Sequence, residues 1–196
     1  MGLEHSADDS CETEAAAGTI LTRRSLLGAA LAAAGLCAAG PASAAMRVKR
    51  ERSLYLANPH TGDVFRDVYW ANGKYVKSAM KRINWLMRDF RADQVRAIDP
   101  ELVDLLGGIG ARVGGKRPIY ILSGYRSPQT NALLQEEGLG AVENSQHCFG
   151  KAADIHIQGV RLGDVRKVAV SFRAGGVGTY WNNGFVHVDT GRVRYW

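Results

Sequence analysis

Gly175-Gly176-Val177-Gly178-Thr179-Tyr180-Trp181-Asn182-Asn183-Gly184-Phe185-Val186-His187-Val188-Asp189-Thr190 is the stretch that decides the fold class of this chain. It predicts two short strands, 175–180 and 185–190, joined by the turn Trp181-Asn182-Asn183-Gly184. Consecutive strands with no helix between them break a regular βαβ alternation. Immediately upstream, Leu162, Val165, Val168, Ala169 and Phe172 recur at helical spacing over 162–172. Residues 152–157 read as a buried strand, and 118–122 as a short apolar strand followed by a short helix over 129–136. A longer helix starts near Pro100, whose ring suits a first helical turn. It carries the stripe Leu102, Leu105, Leu106, Ile109 and Val113, and Gly114-Gly115 stops it. From Tyr75, another stripe runs through Val76, Met80, Ile83, Met87 and Phe90. Residues 54–56 and 64–69 read as strands around the turn that begins at Asn58-Pro59. Helices dominate the middle and strands the end, so the expected class is α+β, a small and mostly antiparallel sheet with flanking helices.

The chain has 196 residues, which suits one compact domain with an appendage. With 46% hydrophobic and 22% charged residues, it is neither a disordered polymer nor a polytopic membrane protein. Its 3 cysteines exclude a disulfide framework and a four-cysteine metal site. Residues 1–44 read as an address. Arg23-Arg24 stands before an uncharged run rich in Ala and Gly, which ends at the small-residue cleavage signal Pro41-Ala42-Ser43-Ala44. This is the pattern of a twin-arginine-type signal peptide. The uncharged run is shorter than the ~20 residues a membrane span needs. The expected exported domain, 45–196, holds 23 basic and 14 acidic side chains, a net of +9, and Cys148 as its single cysteine. A basic surface in the periplasm or cell envelope favours anionic wall polymers, peptidoglycan among them, by long-range attraction. That compartment argues against nucleic acid, and nothing after the signal predicts stable membrane insertion.

Four histidines remain beyond the signal: His60, His147, His156 and His187. His147 lies in a loop, Asp154 on a strand seven residues later, and His187 on a strand near the end. Two imidazoles and one carboxylate bind zinc tetrahedrally and leave the fourth position to water, the arrangement of a catalytic site. Spacing alone leaves a plainer alternative, in which Asp154 caps a turn, His147 is a polar loop residue and His187 fills a half-buried strand. Gly150, Ala152 and Ala153 are small enough for the close backbone approach a metal site requires. Strand alternation places Phe185, His187 and Asp189 on one face, and Asp154 with His156 on one face.

Ser123-Gly124-Tyr125-Arg126-Ser127, Asn131, Ser145-Gln146-His147 with Gly150, Ala153 and Asp154, Gly175-Gly176-Val177-Gly178 and Phe185-Val186-His187-Val188-Asp189 occur in that order. Together they resemble the zinc D-alanyl-D-alanine peptidase family, most closely its murein endopeptidase K branch, over roughly 54–196. The resemblance implies a Hedgehog/DD-peptidase-like fold and a zinc metallopeptidase domain over 45–196. It further implies one Zn2+ per chain, held by His147, Asp154 and His187, and hydrolysis of stem-peptide cross-links in the wall. The same chemistry also serves a D,D- or L,D-carboxypeptidase that trims stem peptides, and a non-catalytic zinc-containing wall-binding protein is the third possibility.

The chain departs from the family at one informative position. Many relatives carry an acidic residue three positions before the last zinc histidine, and here that residue is Gly184. Asp189 then has two roles open, as catalytic base or as the carboxylate that orients the His187 ring. His156 is a third candidate base, or simply a structural histidine. Arg126 is the expected catalytic electrophile and substrate anchor; its alternative is a salt bridge that pins its own turn. Ser145 either binds substrate or caps its loop. Tyr180 and Trp181 are expected to wall the cleft, Cys148 to be inert beside the metal loop, and His60 to belong to a surface turn. The oligomeric state is not written in the sequence.

Overall fold

A computed structural model describes residues 51–113 and 116–196. Residues 1–50, on which the expected signal peptide falls, and the Gly114-Gly115 pair lie outside the described residues. Among the described residues thirteen short elements follow one another: β1 (Glu51–Ala57), β2 (Val64–Ala71), β3 (Lys74–Tyr75), α1 (Lys77–Leu86), α2 (Pro100–Arg112), β4 (Ile119–Ser123), α3 (Pro128–Glu136), a 3₁₀ turn (Gln146–Phe149), β5 (Ala152–His156), α4 (Leu162–Phe172), β6 (Gly176–Tyr180), β7 (Phe185–Asp189) and β8 (Arg194–Tyr195). The class is α+β, as the closing strands predict.

The strands form one sheet of eight, in the order β3-β2-β1-β4-β5-β7-β6-β8. Five of its seven pairings are antiparallel, in line with the expectation, but the sheet is neither small nor of one kind. The sheet is mixed, because β1 pairs with β4 and β6 pairs with β8 in parallel. Both parallel pairings join segments distant in sequence, which local patterning does not encode. The two-residue strands β3 and β8 are likewise too short to show a period.

Helix α1 packs on β2, α2 on β1 and α4, and α4 on β6 and β7. Beneath them Leu56, Phe65, Ile83, Leu102, Leu106, Ile109, Ile121 and Ile155 are sealed from water. Strands β5 and β7 are buried on both faces. Ala153 faces Val188 and Ile155 faces Val186 in the helix-covered core, whereas Asp154 pairs with His187 and Ala152 with Asp189 on the alternate positions. The pleat thus sends apolar side chains into the core and polar ones into the opposite layer.

Local chemistry sets the helix ends. Asp99 caps α2 by accepting the Glu101 N–H at 3.0 Å ahead of Pro100, and Ser127 caps α3 through the Thr130 N–H at 3.2 Å. The stripe that predicts helix as far as Phe90 outruns α1, which stops at Leu86. Asp89 takes over the backbone there. Its buried carboxylate accepts the N–H groups of Arg91 at 3.1 Å, Ala92 at 3.3 Å and Ser127 at 2.8 Å. Such side-chain acceptors compete with the helical ladder. Phe90 swings out and stacks on His60 with ring centroids 4.4 Å apart.

Burial pushes the Asp89 carboxyl up, but the Thr130 and Ser127 hydroxyls and the Ser127 and Ala92 N–H groups together hold it below the ordinary carboxylate value. A folded-state value below the unfolded one contributes stability above the unfolded value, and that contribution is lost as pH falls through the folded one. Asp89→Asn should therefore destabilise the protein at neutral pH by about 2 kcal/mol, as hydrogen bonds to a charged group are weakened. The penalty should shrink in acid, where wild type loses the same contribution. Urea melts across the pH range test this, and a penalty independent of pH would contradict it.

Candidate metal centre

The centre is assembled from two loops and two strands. Gly124 follows β4 and sits so close to α1's end that a Cβ there would overlap the Met87 carbonyl oxygen and lie 2.8 Å from the Met87 Cβ. The Tyr125 N–H donates to that carbonyl at 2.7 Å and fixes the loop. The Gly124 carbonyl is thereby aimed at His147, whose Nδ1–H donates to it at 2.7 Å. The second loop is laced to the first, with the Arg126 N–H donating to the His147 carbonyl at 3.2 Å. It ends at Gly150, where φ is 68° and a Cβ would stand 2.6 Å from the Ala97 carbonyl oxygen. Only glycine satisfies both constraints.

With Nδ1 occupied, His147 turns Nε2 to the cleft. Asp154 and His187 meet it from β5 and β7, where they are direct cross-strand partners. His147 Nε2 and His187 Nδ1 are 3.2 Å apart, His187 Nδ1 and Asp154 Oδ1 2.9 Å, and His147 Nε2 and Asp154 Oδ1 3.4 Å. A tetrahedral zinc ion with bonds of about 2.0–2.1 Å needs donor atoms about 3.3 Å apart. The three donors therefore already outline one face of that tetrahedron, and the residues fit the ion.

Charge follows from this crowding. Burial pushes the Asp154 carboxyl up, but the His147 and His187 rings beside it hold it far below the ordinary range. Burial disfavours a charged His187, yet the Asp154 and Asp189 carboxylates on either side raise it to about 9. A divalent cation competes with a proton for the same nitrogen.

Asp189 lies behind His187, fully buried, with Oδ2 3.0 Å from His187 Nε2. Its other contacts are the Gly176 N–H at 3.0 Å, the Gly191 N–H at 2.8 Å, and Arg194, which donates at 2.8 Å to Oδ2 and 3.2 Å to Oδ1. Both oxygens are engaged, and Asp189 lines no part of the cleft over the donors. Arg126 lies on the cleft side. It donates to Asn131 Oδ1 and Ser123 Oγ at 3.3 Å each and stands 3.8 Å from Asp154 Oδ2, while its buried Nε has no hydrogen-bond partner among the described residues.

A cleft of about 300 Å³ opens over the three donors and is walled by the 139–142 segment, Tyr180, Phe185 and Trp196. Among the described residues that line it, Asp154 is the single carboxylate. Ser145 also lines it and makes no side-chain capping bond to its own turn. Tyr180 faces the cleft, stacked on Phe185 at 4.5 Å, whereas Trp181 is 63% exposed and stands apart from it. His156 bonds the Gly184 carbonyl at 3.0 Å through Nδ1 and does not reach the cleft wall. Gly184 itself has φ 75°, a left-handed turn position that accounts for glycine there. Cys148 is half-buried, and burial pushes its thiol up, away from the reactive thiolate.

Sequence reasoning did not single out Arg194 or Trp196. The available signal was their spacing, Arg194 and Trp196 standing two apart where the backbone runs along β6.

A family model described as peptidoglycan L,D-endopeptidase MepK matches residues 46–196. The chain is 41% identical over 177 residues to the peptidoglycan L,D-endopeptidase MepK of Escherichia coli (strain K12), covering 89% of this chain and 96% of that protein. It is 38% identical over 148 residues to the probable peptidoglycan L,D-endopeptidase MepK of Haemophilus influenzae, covering 75% of this chain and 80% of that one.

Proposed function

This chain belongs to the peptidoglycan L,D-endopeptidase MepK family, and from that premise we propose that it is a zinc-dependent peptidase that hydrolyses L,D stem-peptide cross-links in the cell wall. The observation that carries the metal assignment is the triangle of His147 Nε2, Asp154 Oδ1 and His187 Nδ1, with sides of 2.9–3.4 Å. These three residues hold one zinc ion, which when bound supplies a Lewis acid for the scissile carbonyl and a water of lowered pKa. The chain's own groups do the rest. Gly124 and Asp189 fix the two imidazoles in the tautomers that present Nε2 and Nδ1 to the cleft. Asp189 is a positioning residue in this reading, since its carboxylate is turned away from the reacting atoms. Arg126 offers its fork to a substrate carboxylate or to the developing oxyanion, and Ser145 offers a hydroxyl beside it.

Arg126→Ala should lower kcat/KM by about 10²-fold, the scale of losing one such donor, while zinc content stays at wild-type level. Steady-state kinetics beside metal analysis test this, and unchanged kcat/KM would remove Arg126 from the site.

The bond is tested with defined muropeptides. Dimers joined by an L,D bond should split into monomers, and chelator should stop the reaction. Shortened monomers with intact dimers would mean a carboxypeptidase, and bound but unchanged material a wall-binding module.

For export, residues 1–44 are a twin-arginine-type signal peptide that sends the 45–196 domain to the periplasm. The support is the Arg23-Arg24 pair, the uncharged run and the Ala42-Ser43-Ala44 exit. Arg23→Lys combined with Arg24→Lys should leave the full-length precursor in the cytoplasm. Normal export of that variant would contradict the route. Among the described residues, no helix is long and apolar enough to cross a membrane.

A further inference from the structure

Strand β8 reaches the centre across a neighbour. It pairs with β6 in parallel, Gly176 beside Arg194 and Val177 beside Tyr195, and β6 lies between β8 and β7. Strands are spaced about 4.8 Å apart, so a side chain on β8 must bridge about 10 Å to meet β7. Arg194 does so, and its guanidinium grips both oxygens of Asp189. Trp196 does so as well, its indole lying 5.5 Å from the His187 ring.

The bridge exists because β6 shows glycine on that face. A Cβ on Gly176 would stand 2.5 Å from Arg194 Nη1 and from Asp189 Oδ2, and one on Gly178 would overlap the Trp196 indole. Gly178 is the residue directly opposite His187. Further ties hold the tail in place. The Trp196 N–H donates to the Val177 carbonyl at 3.2 Å, the Thr179 N–H to the Trp196 carbonyl at 3.1 Å, and Trp196 Nε1–H to the Tyr180 hydroxyl at 3.3 Å. Arg194 also lies over the Trp196 ring, 5.0 Å from its centroid.

We propose that β8 is a positioning element of the metal centre: Arg194, acting through Asp189, and Trp196, packed on the ring, together hold His187 Nδ1 toward the cleft, and Gly176 and Gly178 are the residues that let them reach it. Arg194 lines the cleft, but its guanidinium is spent on Asp189 and on the Arg192 carbonyl, so its effect on His187 is exerted through that carboxylate. A planar fork matters here, because two parallel bonds fix the carboxylate plane where a point charge does not. The inference rests on the zinc reading of the His147, Asp154 and His187 site.

The test uses the full chain, stripped with chelator and titrated with zinc alone and with cobalt(II) alone. Wild type should bind one ion and give an intense four-coordinate cobalt spectrum. Arg194→Ala, with native circular dichroism, should bind zinc about 10–100-fold more weakly, the usual scale for a lost outer-shell partner. Its cobalt bands should also change in intensity. Arg194→Lys should restore part of the affinity, and Gly178→Ala should mimic Arg194→Ala by displacing Trp196. Should Arg194→Ala fail to fold, Arg194→Lys and Gly178→Ala carry the same readout. Folded variants with wild-type affinity and an unchanged cobalt spectrum would overturn the positioning role while leaving the zinc site intact. A wild-type protein that binds neither ion would overturn the zinc reading itself.

Discussion

Replacing His147 by alanine is expected to strip the protein of its zinc and to slow cleavage of cross-linked muropeptides by about 10³-fold or more, since the metal supplies several kcal/mol of transition-state stabilisation. The expectation follows from placement. His147 is 3% exposed, and its two nitrogens are both committed, Nδ1 to the Gly124 carbonyl and Nε2 to the donor triangle. Alanine leaves one imidazole and one carboxylate, too few for a three-ligand catalytic site. The fold should survive, because the 3₁₀ turn keeps its backbone bonds, Cys148 N–H to the Ser145 carbonyl among them. Metal analysis, circular dichroism and turnover on the same sample test this. Retained stoichiometric zinc in a folded His147→Ala protein would exclude His147 as a ligand.

Gly124→Ala is expected to be among the most damaging single methyls in the molecule. The added carbon has to occupy the space of the Met87 carbonyl oxygen, which is backbone and cannot rotate away. That same carbonyl accepts the Tyr125 N–H, and the Gly124 carbonyl orients His147. Overpacking against main chain costs about 3 kcal/mol, with backbone shifts as the relief. The relief moves the acceptor of His147 Nδ1, so zinc affinity should fall together with stability. Gly62→Ala is the contrasting case: φ is 75° but nothing lies within 4 Å, and it should cost about 1 kcal/mol of strain without affecting zinc. Chemical denaturation and zinc titration of the two variants separate steric from metal effects. Equal behaviour of the two would contradict the packing argument.

What the sequence makes legible follows from range. Residues Ala152–His156 and Phe185–Asp189 carry their two-faced pattern locally, so strands and candidate ligands can be read from alternation and ordered motifs. Helix α4 is readable from its stripe and matches residue for residue. The end of α1 is not, because Asp89 abandons the helix to hold Ser127, 38 residues away. The parallel partners of β1 and β6 are equally hidden, since a strand's pattern names its buried face but not its neighbour. Asp189 illustrates the limit within the site. Its side of the strand is readable, and that side is shared by a base and by a carboxylate that steadies a ligand. Arg194 and two glycine N–H groups, drawn from β8, β6 and the turn between β7 and β8, favour the second, and none of the three can be read from the strand's own pattern.

Chelator-stripped protein mixed with an L,D-linked muropeptide dimer and titrated with zinc puts the donor triangle to the test. Monomer production should rise linearly from near zero and level off at one zinc per chain. Full cleavage before any zinc is added, or activity that ignores the metal throughout the titration, would contradict it.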